Sequence, residues 1–253
     1  MSLHLMQERR GYIEKRLAAE GSIRVAELAR LFNVSSETIR KDLIFLEEKG
    51  LAVKAYGGAL AVGGEVEPSF TEKAVKHMDE KLRIAKEAVT RVEGGMSLLL
   101  DGGSTIFAFA QALTIKKDIT VFTNGLKAAQ LLDEYDIPTY VLGGQVRHNS
   151  NSIVGSWAMR SLKEIRVDMA VLGTSGFMGR SGPCVENFVE AELKSAMIEA
   201  ANRVIVLGDS SKSRSQAVVE VAQWDEIDEV ITDTGIDPDE LSKIKQKTAV
   251  TTV

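Results

Sequence analysis

The 253-residue sequence predicts an α/β chain, a mainly parallel sheet covered by helices, preceded by a small α+β unit. Three observations predict it. Beyond residue 70, the apolar runs "SLLLD", "ITVFTN", "PTYVLGG", "MAVLGTSG", "RVIVLGD" and "EVITD" alternate with helical patterns, as strands and crossover helices of a parallel sheet do. Residues 1–60 instead carry helical periodicity and close on one short alternating stretch with a glycine pair. Between the two, "AVGGEVEPSF" has linker composition. The expected organisation is therefore a first domain over 1–60, a linker over 61–70 and an α/β domain over 71–253.

In chain order, Leu5, Arg9, Ile13 and Leu17 recur every four residues, which predicts a first helix stopped at Gly21. "SIRVAELARLF" predicts a second helix, with Ser22 as its cap and Val25, Leu28, Ala29 and Phe32 on one face. A third helix is expected from Ser35 or Ser36. Ile39, Leu43, Leu46 and Ser35 fall on one side of it, while Ser36, Glu37, Arg40 and Lys41 fall on the other. "LAVKAYGGAL" predicts a strand and tight turn at Gly57-Gly58. "TEKAVKHMDEKLRIAKEAVTRV" predicts one long, mostly polar helix.

Composition narrows the chemistry. Net charge is −5, but residues 1–60 hold 10 Lys+Arg against 8 Asp+Glu, and the remainder holds 21 against 28. Contact with nucleic acid belongs to the first domain on that asymmetry. Cys184 is the only cysteine, so an internal disulfide is excluded and a reducing compartment fits. No apolar run reaches the ~18 residues of a membrane span, so a soluble, cytoplasmic protein without membrane contact is expected.

On the third helix, the N-terminal serines leave free N–H groups for a phosphate, and Arg40 has the fork that matches guanine in the major groove. Helix, short turn and second helix is the arrangement of helix-turn-helix readers of double-stranded DNA. The same residues also fit a solvated charged face on a three-helix bundle, and Glu37 would repel phosphate.

In the second domain, polar and glycine residues follow each strand: Asp101–Thr105, Thr123–Gly125, Gly143–Gln145, Gly173–Gly176 and Gly208–Lys212. In an open parallel sheet these ends line the ligand crevice. Gly102-Gly103-Ser104-Thr105 entering a helix makes a phosphate cradle, Lys212 supplies a cation, and Arg147 could meet a phosphate. Each loop alone reads as ordinary turn chemistry; five at one sheet edge favour a site. "GDSSKS" lacks the glycine before lysine of an ATP-binding loop, no GxGxxG occurs, and His4, His77 and His148 have no ligand spacing. Neither a cofactor nor a metal is expected.

Several motifs carry a resemblance. Arg9, Ile13 and Leu17, Glu27-Leu28-Ala29, Val34-Ser35, "TIRKDL", Gly50 and "GGA" resemble the winged helix-turn-helix of DeoR-type bacterial transcription regulators. That family usually has arginine and histidine where Lys54 and Tyr56 stand. The resemblance implies operator contacts from Ser35, Ser36, Glu37, Thr38, Arg40 and Lys41, with Lys54 and Tyr56 on the wing. "DGGST", "VFTNG", "LGG", "GTSGF", "ELKSAMIEAA" and "DSSK" resemble the sensor domain of the same family and, more distantly, sugar-phosphate isomerases.

This second resemblance implies that Gly103, Ser104, Thr105 and Lys212 hold a phosphate, and that Asp101, Thr123, Asn124, Thr174, Glu190 and Lys194 lie near a sugar. Gly102, Gly143, Gly144, Arg147, Gly173 and Ser175 complete the expected effector set. The implied function is a homo-oligomeric (dimeric or tetrameric) repressor of carbohydrate-metabolism genes, controlled by a phosphorylated sugar. The alternative is an isomerase. Those enzymes carry acidic residues in the loop matching "GTSGF" and this chain has none there, leaving Glu186, Glu190 and Glu192 as possible bases without a paired acid.

Overall fold

The computed structural model describes residues 2–20, 22–55, 57–61 and 68–253; side chains are described from Met6 onward, except at 18–22, 55–56 and 60–67. The chain divides into two compact units, Met1–Val66 with Glu186–Val189, and Glu67–Val185 with Glu190–Val253.

In the first unit, α1 (Ser2–Glu20) is followed by β1 (Ser22–Arg24), α2 (Val25–Leu31), α3 (Ser36–Glu48), β2 (Ala52–Ala55) and β3 (Gly58–Ala61). Ile13, Leu17, Leu28, Ile39, Leu43 and Leu46 make its core, as the four-residue spacings predict. Asn33, left-handed at φ 51, turns the chain between α2 and α3, a conformation asparagine tolerates. Ser22 does not cap a helix: it pairs with Leu60 in an antiparallel sheet of order β1-β3-β2. That sheet demands Gly58, because a Cβ there would lie 1.9 Å from the Ile23 carbonyl oxygen. The stop expected at Gly21 lies outside the described residues.

The second unit begins with α4 (Phe70–Val75) and α5 (Met78–Ala88), then β4 (Ser97–Leu100), α6 (Ser104–Leu113), β5 (Thr120–Thr123), α7 (Leu126–Glu134) and β6 (Thr139–Val141). A hairpin comes next, β7 (Gln145–Arg147) and β8 (Ser152–Val154), then α8 (Ser156–Lys163), β9 (Val167–Gly173) and the short β10 (Cys184–Val185). The unit ends with α9 (Phe188–Glu199), β11 (Ala201–Leu207), β12 (Val219–Glu220), β13 (Glu229–Thr232), α10 (Pro238–Lys245) and β14 (Ala249–Thr252).

Seven strands form one parallel sheet of order β14-β13-β11-β9-β4-β5-β6. Leu98, Leu99 and Leu100 are all 0% exposed, so both faces of β4 are covered. That is why its sequence is a continuous apolar run rather than an alternation. Two further expectations need correction. The long polar helix is two: Lys76 is extended and His77 is left-handed at φ 54, which separates α4 from α5. The linker expected over 61–70 gives way at its end to helix, since Ser69 caps α4 and Phe70 is buried within it; its residues 62–67 lie outside the described residues. The polar stretch after Gly143-Gly144 folds as the β7–β8 hairpin.

Candidate functional sites

In the first unit, Ser35 caps α3, its hydroxyl accepting from the Thr38 N–H at 3.1 Å. Asp42, 1% exposed, turns the helix's inner face into a polar anchor. It accepts from Arg9 Nε at 2.5 Å and from Arg10 Nε at 2.7 Å, tying α3 to α1. The outer face carries Ser36, Glu37, Arg40, Lys41 and Ile44, all exposed. Arg40 Nη1 sits 3.3 Å from Glu37 Oε2, so Glu37 holds the guanidinium along the outer face. Phe45 is partly buried, with the Arg10 guanidinium 3.9 Å over its ring. Lys54 lies exposed on β2, and its N–H donates to Glu47 Oε1 at 3.0 Å, fastening that strand to α3. Tyr56 lies outside the described residues.

In the second unit, strand order reverses between β4 and β9. The chain leaves β4 toward β5 and β6 on one side, and β9 toward β11, β13 and β14 on the other. A crevice at the carboxyl ends of such a strand pair is where open α/β sheets bind ligands. Asp101, directly after β4, and Gly173, ending β9, meet there: the Gly173 N–H donates to Asp101 Oδ2 at 3.0 Å. Lys194, from α9, donates to the same Oδ2 and to the Gly173 carbonyl, both at 2.5 Å.

Gly103, at φ 115, opens α6, and no side chain caps that helix. α2, α5, α7 and α8 likewise start without a side-chain cap, whereas α3, α4 and α10 are capped by Ser35, Ser69 and Asp237. The first-turn N–H groups of α6 are therefore available to an anion, with Ser104 half-buried and Thr105 buried beside them. Gly102 must be glycine, since a Cβ would meet Ser152 Cβ at 2.6 Å.

Lys212 is half-buried in a turn of 3₁₀ helix (Ser210–Arg214). Its neighbour Lys81, absent from the expected effector set, is 3% exposed with Nζ 3.5 Å from Asp209 Oδ2. Burial pushes the Lys81 ammonium below its ordinary value, with Lys212 adding to the effect against Asp209. Burial alone would raise the Asp209 carboxyl; Lys212, the Ser211 hydroxyl and Lys81 outweigh it and hold it below the usual range. Nothing in the sequence pattern distinguishes Lys81 from the solvated lysines around it.

The remaining expected residues divide by what their polar atoms do. Arg147 Nη1 pairs with Glu190 Oε1 at 3.2 Å and reaches Ser150 Oγ at 3.1 Å. Asn124 is 2% exposed, its Nδ2 donates to the Ile153 carbonyl, and its Oδ1 has no hydrogen-bond partner. Thr123 is fully buried, its hydroxyl donating to the Leu100 carbonyl and accepting from the Gly125 N–H. The Thr174 hydroxyl donates to the Cys184 carbonyl, and Ser175 is joined to Cys184 through its N–H. Both threonine hydroxyls thus shape the backbone. Gly143 is exposed; Gly144, also exposed, leaves room for the Val154 carbonyl that a Cβ would approach to 2.6 Å.

A helix-turn-helix unit joined to an α/β unit with a switch-point crevice defines a DNA-binding regulator with a ligand-sensing domain. Comparison with known proteins fixes the family. The model of the DeoR-like helix-turn-helix domain matches residues 9–63, and that of the DeoR C-terminal sensor domain matches residues 76–234. A protein of Escherichia coli O157:H7 named for transcriptional repression of the aga operon is 37% identical over 243 residues, 94% of this chain and 90% of that one. The glycerol-3-phosphate regulon repressor of E. coli K12 is 30% identical over 228 residues, 90% of each chain. The chain belongs to the DeoR family of transcriptional regulators. A ribose 5-phosphate isomerase from Methanocaldococcus jannaschii overlaps 54% of this chain at 24% identity and a TM-score of 0.38, too low to transfer a site. No described helix is long and apolar enough to cross a membrane.

Proposed function

We propose that this regulator acts in the cytoplasm as a repressor of carbohydrate-metabolism genes, with its hold on DNA set by a phosphorylated sugar. Residues 1–60 read the operator through Ser36, Arg40 and Lys41, oriented by the Ser35 cap and the Asp42 anchor, with Lys54 on the adjoining strand. The second unit, from the Ser69 cap of α4 onward, senses the effector, and the residues before it link the two. A homo-oligomer would place paired α3 helices on repeated half-sites.

The observation that carries the effector class is the glycine-opened, uncapped start of α6 beside the switch point of the sheet, in one unit with the half-buried Lys212. Free N–H groups and ammonium groups together favour an anion. The sugar would lie against Asp101, Asn124 and Glu190, while Lys81 and Lys212 take the phosphate with Gly103, Ser104 and Thr105.

A switch rather than an enzyme is the better reading. Isomerisation needs a carboxylate free to take a carbon-bound proton. Here Asp101 is locked by Lys194 and the Gly173 N–H, Glu190 is paired with Arg147, and Asp209 is held ionised among cations.

Fluorescence anisotropy on DNA from upstream of the protein's own gene, with sugar phosphates and the matching free sugars added, tests the proposal. Release by one phosphosugar and not by its free sugar is the expected result. Turnover of a phosphosugar in the same preparation would revive the enzyme.

A further inference from the structure

The helix α4 is six residues long, too short to hold its shape by its own hydrogen bonds. It is secured at both ends by contacts with the rest of the unit. At its start Phe70, 8% exposed, donates its N–H to the Asn149 carbonyl at 2.7 Å. The Phe70 ring meets Phe107 of α6 edge-on at 5.9 Å, and the Lys127 ammonium lies 5.4 Å above it. Phe70 also walls a recess whose other lining includes Asp101, Gly102, Gly103 and Gly125. At the far end, just past α4, the Lys76 carbonyl accepts from Lys81 Nζ, the same ammonium that faces Asp209.

We propose that α4 is a strap that reports the state of the crevice to the segment leading back to the DNA-binding unit, with Phe70 as its clasp and the Lys76–Lys81 bond as its buckle. An anion at the start of α6 acts on both fastenings. It sits against Gly103, which shares the recess with Phe70, and it competes with the Lys76 carbonyl for the Lys81 ammonium. α4 is the first helix of the second unit, with Pro68 and Ser69 between it and position 67. The inference rests on the anion reading of the crevice given above, and by linkage the strap must in turn affect anion binding.

Hydrogen–deuterium exchange on the full chain, titrated with inorganic phosphate and separately with ribose 5-phosphate, tests it. The expected result is a several-fold change in exchange at Phe70–Val75 that tracks the slowing at Ser104–Phe107 with a single midpoint. In Phe70→Ala, the α4 amides should exchange fast and ignore either anion, while Ser104–Phe107 remain protected by it. Slowing at Ser104–Phe107 with α4 unchanged in the wild-type chain would overturn the strap and leave the anion site standing. No change at either segment would overturn the anion site and the strap with it.

Discussion

Lys194 Nζ lies 2.5 Å from Asp101 Oδ2, with both side chains less than a tenth exposed, at the point where the parallel sheet reverses its strand order. Removing one member of such a pair strands the other charge. Lys194→Met should therefore destabilise the chain by about 3–5 kcal/mol. Adding Asp101→Asn in the same chain should recover part of that loss, because no buried charge is then left alone. Urea unfolding of the wild type and the two variants decides it. A Lys194→Met midpoint equal to wild type would mean that water screens the pair.

Arg40 and Glu37 are paired at 3.3 Å, but their side chains are 57% and 65% exposed, so the pair adds little to stability. On the proposed reading of the operator, DNA would take the place of Glu37 at Arg40. Arg40→Ala should cost about 1–3 kcal/mol of operator affinity and relax the preference at one base pair. Glu37→Gln should tighten binding to unrelated DNA, since it removes a carboxylate from the face proposed to meet the phosphates. Anisotropy titrations on specific and scrambled duplexes at several salt concentrations separate the two effects; unchanged specificity in Arg40→Ala would take Arg40 out of the reading set.

Gly102 and Gly103 are adjacent glycines needed for different reasons. A Cβ on Gly102 would lie 2.6 Å from Ser152 Cβ, whereas one on Gly103 meets nothing within 4 Å but must accept φ 115. Both alanine variants should lose about 1–3 kcal/mol. Only Gly102→Ala should be rescued by Ser152→Gly, which removes the colliding atom. Thermal melts of the two double variants are the measurement, and equal rescue of both would reject the steric account.

Glu229 begins β13 at 5% exposure and accepts from Arg91 Nη2 at 2.7 Å, Arg203 Nη2 at 2.8 Å and the Thr251 hydroxyl at 2.8 Å. Burial pushes its carboxyl up, but the Arg91 and Thr251 hydrogen bonds and the two arginine charges outweigh burial and hold it below the ordinary range. A group whose folded value is depressed contributes stability that is full above its unfolded value, near about 4.3, and is lost as pH falls through the folded one. Glu229→Gln should lower the urea midpoint at pH 7 and flatten its decline between pH 5 and pH 3. A parallel decline in wild type and variant would assign the acid sensitivity to other carboxylates.

Much of the fold could be read from residue order because burial leaves a period in the sequence. Leu98, Leu99 and Leu100 form an unbroken apolar run because both faces of β4 are covered, and Ile39, Leu43 and Leu46 are spaced as they are because α3 buries one stripe. The candidate crevice was legible for a related reason: the loops after the strands of a parallel sheet share one edge, so glycines and hydroxyls placed after β4, β5, β9 and β11 converge. The break at His77, the β7–β8 hairpin and the role of Lys81 left no such trace. A lysine among polar residues reads as solvated, and a helix interruption without proline or glycine has no local marker.

The sequence by itself determined the alternation of elements, the faces of α3 and the family, since these depend on local periodicity and on motifs. The tertiary structure alone decided which polar atoms remain free for a ligand. Thr123 and Asn124 are neighbours of similar polarity, yet the Thr123 hydroxyl is engaged with the backbone while Asn124 Oδ1 is left without a partner. Likewise Lys81 differs from the lysines beside it only because folding buries it next to Asp209. Hydrogen-bond satisfaction and desolvation depend on what surrounds an atom in three dimensions, and residue spacing does not encode that surrounding.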